Sequence, residues 1–514
     1  MNAPLAPPCP LIAQMDAHAE NRPTRQALSD GRSQLTYAEL ATASHLFAQA
    51  LWDKGVRTGH KVAVLGPKNT SLIAGIVGLW RLGATFCPMD DTLPAERLAY
   101  MLAKVNPSAI LAPRAAWPSL QALAPETSFI DPAEPVRTSG QTYIPGRHRN
   151  RDAYCMFTSG STGFAKGVVI PHQAMAALFE GIASIHTVTA RSRCLNTAPL
   201  FFDVSVLDIW FPLFQGASVR LTQDEMKMPL WLLQLIDSEQ ITHLCAVAPL
   251  LKLLCSQAEL FNRFSLRSVQ CIMTGADVLD PKMVQTWLAK IPGLTMLNGY
   301  GPTEATCVCH VYPIRKREPG RTEAYPIGKP LNTVEHLILN AEDEPCEPGE
   351  KGELLVAGRQ LLCNYLGDVQ ETQRRTLIRN GLRYYRTGDQ VECLADGSLA
   401  FHGRLDDEVK VSGYRVHLNE IRRVARSILP GREITIGTCR NPKGALEIVL
   451  IAQGTASEKQ ALTETLQTNL SQRLAVYMQP SHISIVENFP RLGSGKIDTR
   501  ALIEGLNSTE DAHV

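Results

Sequence analysis

The chain carries almost no charge of one sign in excess: 51 lysines and arginines stand against 50 aspartates and glutamates. That balance provides no broad basic field for nucleic acid or an anionic membrane, so any charged partner must be met locally. Long apolar runs are also missing, each being broken by Pro, Asp or Gly well short of a membrane span. The opening MNAPLAPPCPLIAQM lacks the basic region and apolar stretch of an export signal. A soluble, cytoplasmic protein with no membrane or nucleic-acid partner is expected. Cysteine is present, thirteen residues in all, but without paired spacing. Scattered singly through apolar segments, these residues read as reduced, packed thiols and not as a disulfide framework. Cys307-Val308-Cys309-His310 is the one cluster that invites a metal, and no second Cys/His pair at a zinc-finger spacing follows it. Internal repeats and low-complexity tracts are absent, which excludes a solenoid reading.

The chain does have enough apolar residues, 45% of 514, to bury more than one hydrophobic core can organise, so two or more domains are expected. Helical patterns such as Ala38 to Lys54 alternate with short apolar runs such as Lys61 to Leu65 and Ser108 to Ala112. This alternation implies α/β architecture with layered, largely parallel sheets. After about residue 405 the texture changes to short strands (Glu447 to Ala452) and charged helices (Glu458 to Leu474), which places a small α+β domain over 406–514 behind a large one over 1–405. The end after Leu506, rich in Ser, Thr and Asp, is expected to fray.

Tyr154 to Gly167, YCMFTSGSTGFAKG, is an apolar strand running into a loop of hydroxyls and glycines with one lysine. Such a loop suits phosphate. Glycines let the backbone approach, Thr158, Ser159, Ser161 and Thr162 donate hydrogen bonds, and Lys166 brings positive charge. It is not a Walker loop: counted from Gly160, Ala165 stands where the second Gly belongs and Gly167 replaces the Ser/Thr.

Together with eight other segments in a fixed order, this loop resembles the adenylate-forming enzymes, and among them the free-standing amino-acid adenylation domains of nonribosomal peptide synthetases. The segments are Leu35 to Leu40, Leu82 to Asp90 with Pro94 to Leu98, Phe202 to Val206, Asn298 to Glu304, Gly352 to Leu355, Tyr385 to Asp389, Gly403 to Asp406 with Val409 to Arg415, and Gly493 to Lys496. The resemblance implies a ligase that uses ATP and Mg2+ to make an aminoacyl adenylate with release of pyrophosphate. It then passes the acyl group to the phosphopantetheine thiol of a carrier protein. The carrier is expected to be a separate protein, because no Ser in a Gly-Gly-[His/Asp]-Ser setting follows Lys496, and a small activator protein is a possible further partner.

Residue by residue, the resemblance assigns Lys496 to bridging the substrate carboxylate and the α-phosphate. A cation about 4 Å from an anion is worth roughly 4 kcal/mol at an effective dielectric of about 20, or about a thousandfold in rate. Glu304 is implied as the Mg2+ ligand and, with Thr158 and Lys496, as catalytic. The nucleotide is expected to meet Thr158, Ser159, Gly160, Ser161, Thr162, Gly163, Lys166, Gly275, Ala276, Asp277, Asn298, Gly299, Tyr300, Gly301, Thr303, Asp389 and Arg404, with Tyr300 stacked on adenine and Asp389 on the ribose hydroxyls. Asp406 is implied as the hinge about which the small domain turns as a lid between the two reactions, and Lys410, Gly413 and Tyr414 as the thiol-transfer loop.

Substrate choice is assigned to Asp203, an acid inside the apolar run Pro199 to Trp210, as the counter-ion of an α-ammonium. The other pocket positions are Val204, Leu207, Cys245, Met273, Gly275, Gly299, Cys307 and Val308, with Lys496. Apart from Lys496, which is assigned to the carboxylate, none of these positions is charged, so a neutral, apolar side chain is expected. The two glycines suggest room for a branched aliphatic or aromatic group, unless Leu207 and Met273 fill it. The sequence departs from the family at Phe164-Ala165 and His417-Leu418-Asn419, away from the phosphate chemistry. An acyl- or aryl-CoA synthetase, a D-alanine:carrier ligase and a non-catalytic nucleotide sensor are the competing readings. Asp203 speaks against the first, and Lys496, Glu304 and Asp389 against the last.

Overall fold

The computed structural model describes residues 9–134, 151–160, 164–411, 413–441, 444–491 and 497–510. The chain forms two compact units: one comprises Met1–Asp90, Leu102–Phe157 and Gly167–Leu405, the other Asp91–Met101, Thr158–Lys166 and Asp406–Val514.

Two of the large unit's sheets have parallel centres. The nine-stranded sheet runs in the order Lys329–Pro330, His310–Ile314, Thr295–Tyr300, Cys271–Gly275, His243–Cys245, Arg193–Asn196, Ser218–Leu221, Gln26–Ser29 and Gln34–Thr36. Its strands from Thr295–Tyr300 through Gln26–Ser29 all pair in parallel. A seven-stranded sheet contains Asp152–Thr158 beside Thr85–Pro88, Lys61–Val64 and Ala109–Leu111, again in parallel. These strands are covered on both faces, and so read as continuous apolar runs such as Val62-Ala-Val64, all buried. The helix Thr70–Arg81 is apolar nearly all round because it is buried nearly all round. Its entry is set by Asn69, whose side chain accepts the Leu72 N–H at 2.8 Å. At its exit, Trp80 packs on Trp210 at 4.6 Å and donates to the Ala153 carbonyl at 2.8 Å, which fixes the helix to the strand leading to the hydroxyl-rich loop. A third, five-stranded sheet carries Leu382–Cys393 paired antiparallel with Leu399–Arg404.

The small unit contains the hairpin Glu408–Val411 and Tyr414–His417 and a three-stranded sheet of Ile434–Arg440, Leu446–Gln453 and His482–Val486. The helix Leu418–Ile428 buries Ile421, Val424 and Ala425 at helical spacing and turns its arginines outward; with Leu466 and Leu470 of Lys459–Arg473 these residues form the unit's core.

The result is the α/β core and small α+β unit implied by the sequence pattern. The helix read over Ala38 to Lys54 spans Tyr37–Asp53 and is opened by a capping box between Thr36 and Glu39. The strand and helix read in the C-terminal region are Leu446–Gln453 and Lys459–Arg473. Among the described residues no helix is long and apolar enough to cross a membrane. All thirteen cysteines are free.

Candidate active site

The strand Asp152–Thr158 ends at Thr158, and Ser159 and Gly160 follow it directly in the chain. Gly160 is demanded by its surroundings: a Cβ there would lie 2.1 Å from the Phe164 carbonyl oxygen. The aliphatic stem of Lys166 runs beside the same glycine, and Lys166 is buried. In the small unit the loop is held by the Ser159 hydroxyl, which donates to the Arg415 carbonyl at 2.8 Å. Phe164 stacks on Tyr100 at 5.2 Å and lies beneath the Arg423 guanidinium at 3.8 Å. Ser161, Thr162, Gly163 and Lys496 lie outside the described residues.

In the large unit, Tyr300, Asp389 and Arg404 come together although they are spread over a hundred residues. Asp389 and Arg404 face each other in register across two antiparallel strands, and Arg404 donates to Asp389 at 2.9 Å. The Tyr300 hydroxyl donates to the other oxygen of Asp389 in a short hydrogen bond. Burial, reinforced by the Asp389 charge, pushes the Tyr300 phenol well above its ordinary range, so it remains a donor.

The turn after Tyr300 is tightly folded on itself. A Cβ on Gly301 would lie 2.5 Å from the Cys307 carbonyl oxygen, and Thr306 and Cys307 both adopt left-handed backbone, with φ of 57° and 72°. The turn presents Glu304, 1% exposed, whose carboxylate accepts the Tyr365 hydroxyl at 2.7 Å; Tyr385 stands 3.2 Å behind that hydroxyl. Asn298 donates to the Pro326 carbonyl at 2.7 Å. Ala276, with φ of 63°, and Asp277, which accepts the Val278 N–H, form the turn after Cys271–Gly275.

Asp203 opens the segment that leads into the wide helical turn Val206–Trp210. Its carboxylate accepts the Thr303 hydroxyl at 2.6 Å, so a residue that the resemblance assigns to the nucleotide is hydrogen-bonded to the acid assigned to the substrate. Leu207, Cys245, Met273, Cys307 and Val308 are each no more than 6% exposed, and Val204 is half-buried. Burial first, then the Asp203 charge, pushes the Cys307 thiol far up; Cys245 is raised by burial and then by Asp208. Both therefore stay uncharged wall groups. Gly275 lies opposite Gly299 in the parallel register, and a Cβ on Gly275 would lie 2.2 Å from the Gly299 carbonyl oxygen.

Beneath Asp203 is a polar cluster that the sequence pattern did not single out. Asp208, fully buried, accepts Asn196 Nδ2 at 2.8 Å and the backbone N–H groups of Thr197 and Ala198 at 2.9 Å each. Lys68 donates to Asn196 Oδ1 at 2.6 Å and to the Ala198 carbonyl at 2.9 Å, and Thr197 bonds the Cys245 carbonyl at 2.6 Å. Burial raises Asp208 to about 6, with Lys68 opposing, and lowers Lys68 to about 8, with Asp208 opposing. The cluster fixes the chain entering the Asp203 turn and one pocket wall. A second acid in the run Pro199 to Trp210 was the available signal for it. Tyr365 is a further addition, and no local pattern marks it.

In the small unit, Asp406 Oδ1 accepts the Glu408 N–H at 3.3 Å. Lys410 pairs with Arg415 in the hairpin, Gly413 supplies its left-handed turn at φ 84°, and Tyr414 stacks face to face on Tyr477 at 4.2 Å.

Residues 15–366 match the AMP-binding enzyme family. A linear gramicidin synthase polypeptide of Brevibacillus parabrevis is 30% identical over 497 residues, which is 95% of this chain but 6% of that protein. Vanchrobactin synthetase of Vibrio anguillarum is 30% identical over 505 residues, 95% of this chain and 18% of that protein. The chain thus spans a small part of the curated relatives it matches. Among solved structures, a nonribosomal peptide synthetase protein containing adenylation and PCP domains, bound to a vinylsulfonamide inhibitor, superposes with a TM-score of 0.83 at 25% identity, covering 96% of this chain and 84% of that one.

Proposed function

This chain belongs to the AMP-binding enzyme family, whose adenylate-forming ligases use ATP and Mg2+, and from that premise we propose that it activates an amino acid with a neutral, apolar side chain. The product is the aminoacyl adenylate, with pyrophosphate as the leaving group, and the acyl group then passes to the phosphopantetheine thiol of a separate carrier protein in the cytoplasm.

The observation that carries the amino-acid reading is Asp203. A carboxylate that accepts the Thr303 hydroxyl at 2.6 Å and whose charge acts on the buried thiols of Cys245 and Cys307 suits an α-ammonium group. A fatty or aryl acid brings no such cation and forgoes the charge-assisted hydrogen bond that an α-ammonium would make to this carboxylate, worth about 1.5–3 kcal/mol. Tyr300, Asp389 and Arg404 form a donor and acceptor set suited to a nucleoside, the buried phenol staying protonated and Arg404 orienting the carboxylate.

Glu304 fits Mg2+, a hard cation that prefers carboxylate oxygen and commonly takes one or two protein carboxylates alongside substrate phosphates. When bound, the ion screens the phosphate charge as the acid attacks. Tyr365 fixes one Glu304 oxygen, and so sets where the carboxylate points.

The test is pyrophosphate exchange across L- and D-amino acids, aryl acids and fatty acids, followed by product analysis with coenzyme A and with carrier proteins. Exchange with amino acids and acyl transfer to a carrier are expected. Exchange restricted to acids lacking an α-amino group, or transfer to free coenzyme A alone, would overturn the proposal.

A further inference from the structure

The residues assigned to the pocket beside Asp203 are buried and closely packed on one another. Gly299, in the strand Thr295–Tyr300, is one of these positions, and a glycine at such a place reads naturally as room for a ligand. Yet a Cβ built on Gly299 would lie 3.0 Å from Met273 Sδ and 3.2 Å from Val308 Cγ2. The thioether and the valine methyl thus close tightly on the place where the missing side chain would begin. Gly275 opens no space either, because its Cβ direction is blocked at 2.2 Å by the Gly299 backbone.

Exposure supports the same conclusion. With no ligand present, the walls of a wide pocket would be reached by solvent from inside. Leu207 is 1% exposed and Met273 2%, while Cys245, Cys307 and Val308 are 5 to 6% exposed. Solvent touches the short cysteines and the valine and scarcely touches the two longest side chains, which are packed against protein. The polar cluster of Asp208, Asn196 and Thr197 supports the Cys245 wall through its carbonyl, so this wall resists outward movement. Interiors packed at crystal-like density admit an extra methylene only with displaced neighbours.

We infer that the site selects an amino acid whose side chain is no larger than that of alanine, with Met273 and Val308 as the residues that exclude larger ones. This rests on the amino-acid reading above and narrows it. A pocket of this kind discriminates by steric overlap, where each methylene commonly changes kcat/KM by about 10- to 200-fold.

The experiment is pyrophosphate exchange on the full chain with glycine, alanine, serine, valine, leucine and phenylalanine, with benzoate and hexanoate as acids lacking the ammonium. Glycine or alanine is expected to exceed leucine and phenylalanine in kcat/KM by at least about tenfold. In Met273→Ala the ratio of leucine to alanine kcat/KM should rise by at least about tenfold; Val308→Ala, a smaller change, should move it in the same direction and serves if the first variant does not fold. Leucine or phenylalanine equalling alanine in the wild type would overturn the size inference and leave the amino-acid reading standing. Exchange with benzoate or hexanoate but with no amino acid would overturn both.

Discussion

Thr303→Val separates two roles for one hydroxyl. The resemblance assigns Thr303 to the nucleotide, whereas its Oγ1 donates to Asp203 at 2.6 Å. Valine keeps the shape and removes the donor. A hydrogen bond to a charged group contributes about 1.5–3 kcal/mol, and at 1.36 kcal/mol per tenfold the loss of an oriented carboxylate raises the amino-acid KM by about 10- to 150-fold at most. The KM for ATP should change by less than about twofold, because the substitution leaves Tyr300, Asp389 and Arg404 untouched. Pyrophosphate exchange measured over both substrates reads the split directly. Thr303→Ser, which retains the hydroxyl, should restore most of the amino-acid KM. A raised ATP KM with an unaltered amino-acid KM would show that the hydroxyl serves the nucleotide and that the contact with Asp203 is incidental.

Three further perturbations test other parts of the site. Lys496→Ala should abolish pyrophosphate exchange and leave transfer from a preformed adenylate largely intact; equal loss of both steps would remove Lys496 from its assigned role. Tyr365→Phe frees the Glu304 oxygen it holds at 2.7 Å, so exchange should need about 10-fold more Mg2+ at half-saturation with the amino-acid KM unchanged; an unshifted Mg2+ titration would refute the link. Asp208→Asn removes one of the two acids, Asp208 and Glu225, whose charges favour the buried Lys68 ammonium, and it weakens three hydrogen bonds that the carboxylate accepts; hydrogen bonds to a charged group contribute about 1.5–3 kcal/mol. Urea unfolding followed by circular dichroism should show that loss, with Lys68→Met in the same chain recovering part of it, and a variant as stable as the wild type would contradict the pairing.

Much of this is legible in the sequence because it is local. The helix Tyr37–Asp53, the strand Lys61–Val64 and the helix Lys459–Arg473 follow from periodicity and caps read within a few turns. Asp203 stands out because an acid inside Pro199 to Trp210 violates the apolar pattern. Asp208 violates it equally, but its reason lies elsewhere in the chain: Lys68 is 140 positions away, and the two acquire meaning only once folding buries them together. The segments Asp91–Met101 and Thr158–Lys166 likewise cluster with Asp406–Val514 through contacts such as the Arg97–Glu420 ion pair and the Ser159–Arg415 hydrogen bond, which no local pattern encodes.

The glycines mark the deeper limit. A glycine in a strand means that something occupies the place of a side chain, and the sequence does not say whether this is a ligand, a neighbouring residue or the backbone itself. For Gly275 it is the Gly299 carbonyl and for Gly299 it is Met273 and Val308, so neither records the shape of a substrate. Replacing Gly299 and replacing Met273 should therefore have opposite consequences. Gly299→Ala forces a methyl against Met273 Sδ at 3.0 Å and tightens the packing there, whereas Met273→Ala removes the thioether. Substrate range in such a pocket is set by the residue that fills it, and that residue is identified by what faces the glycine in space, not by the glycine.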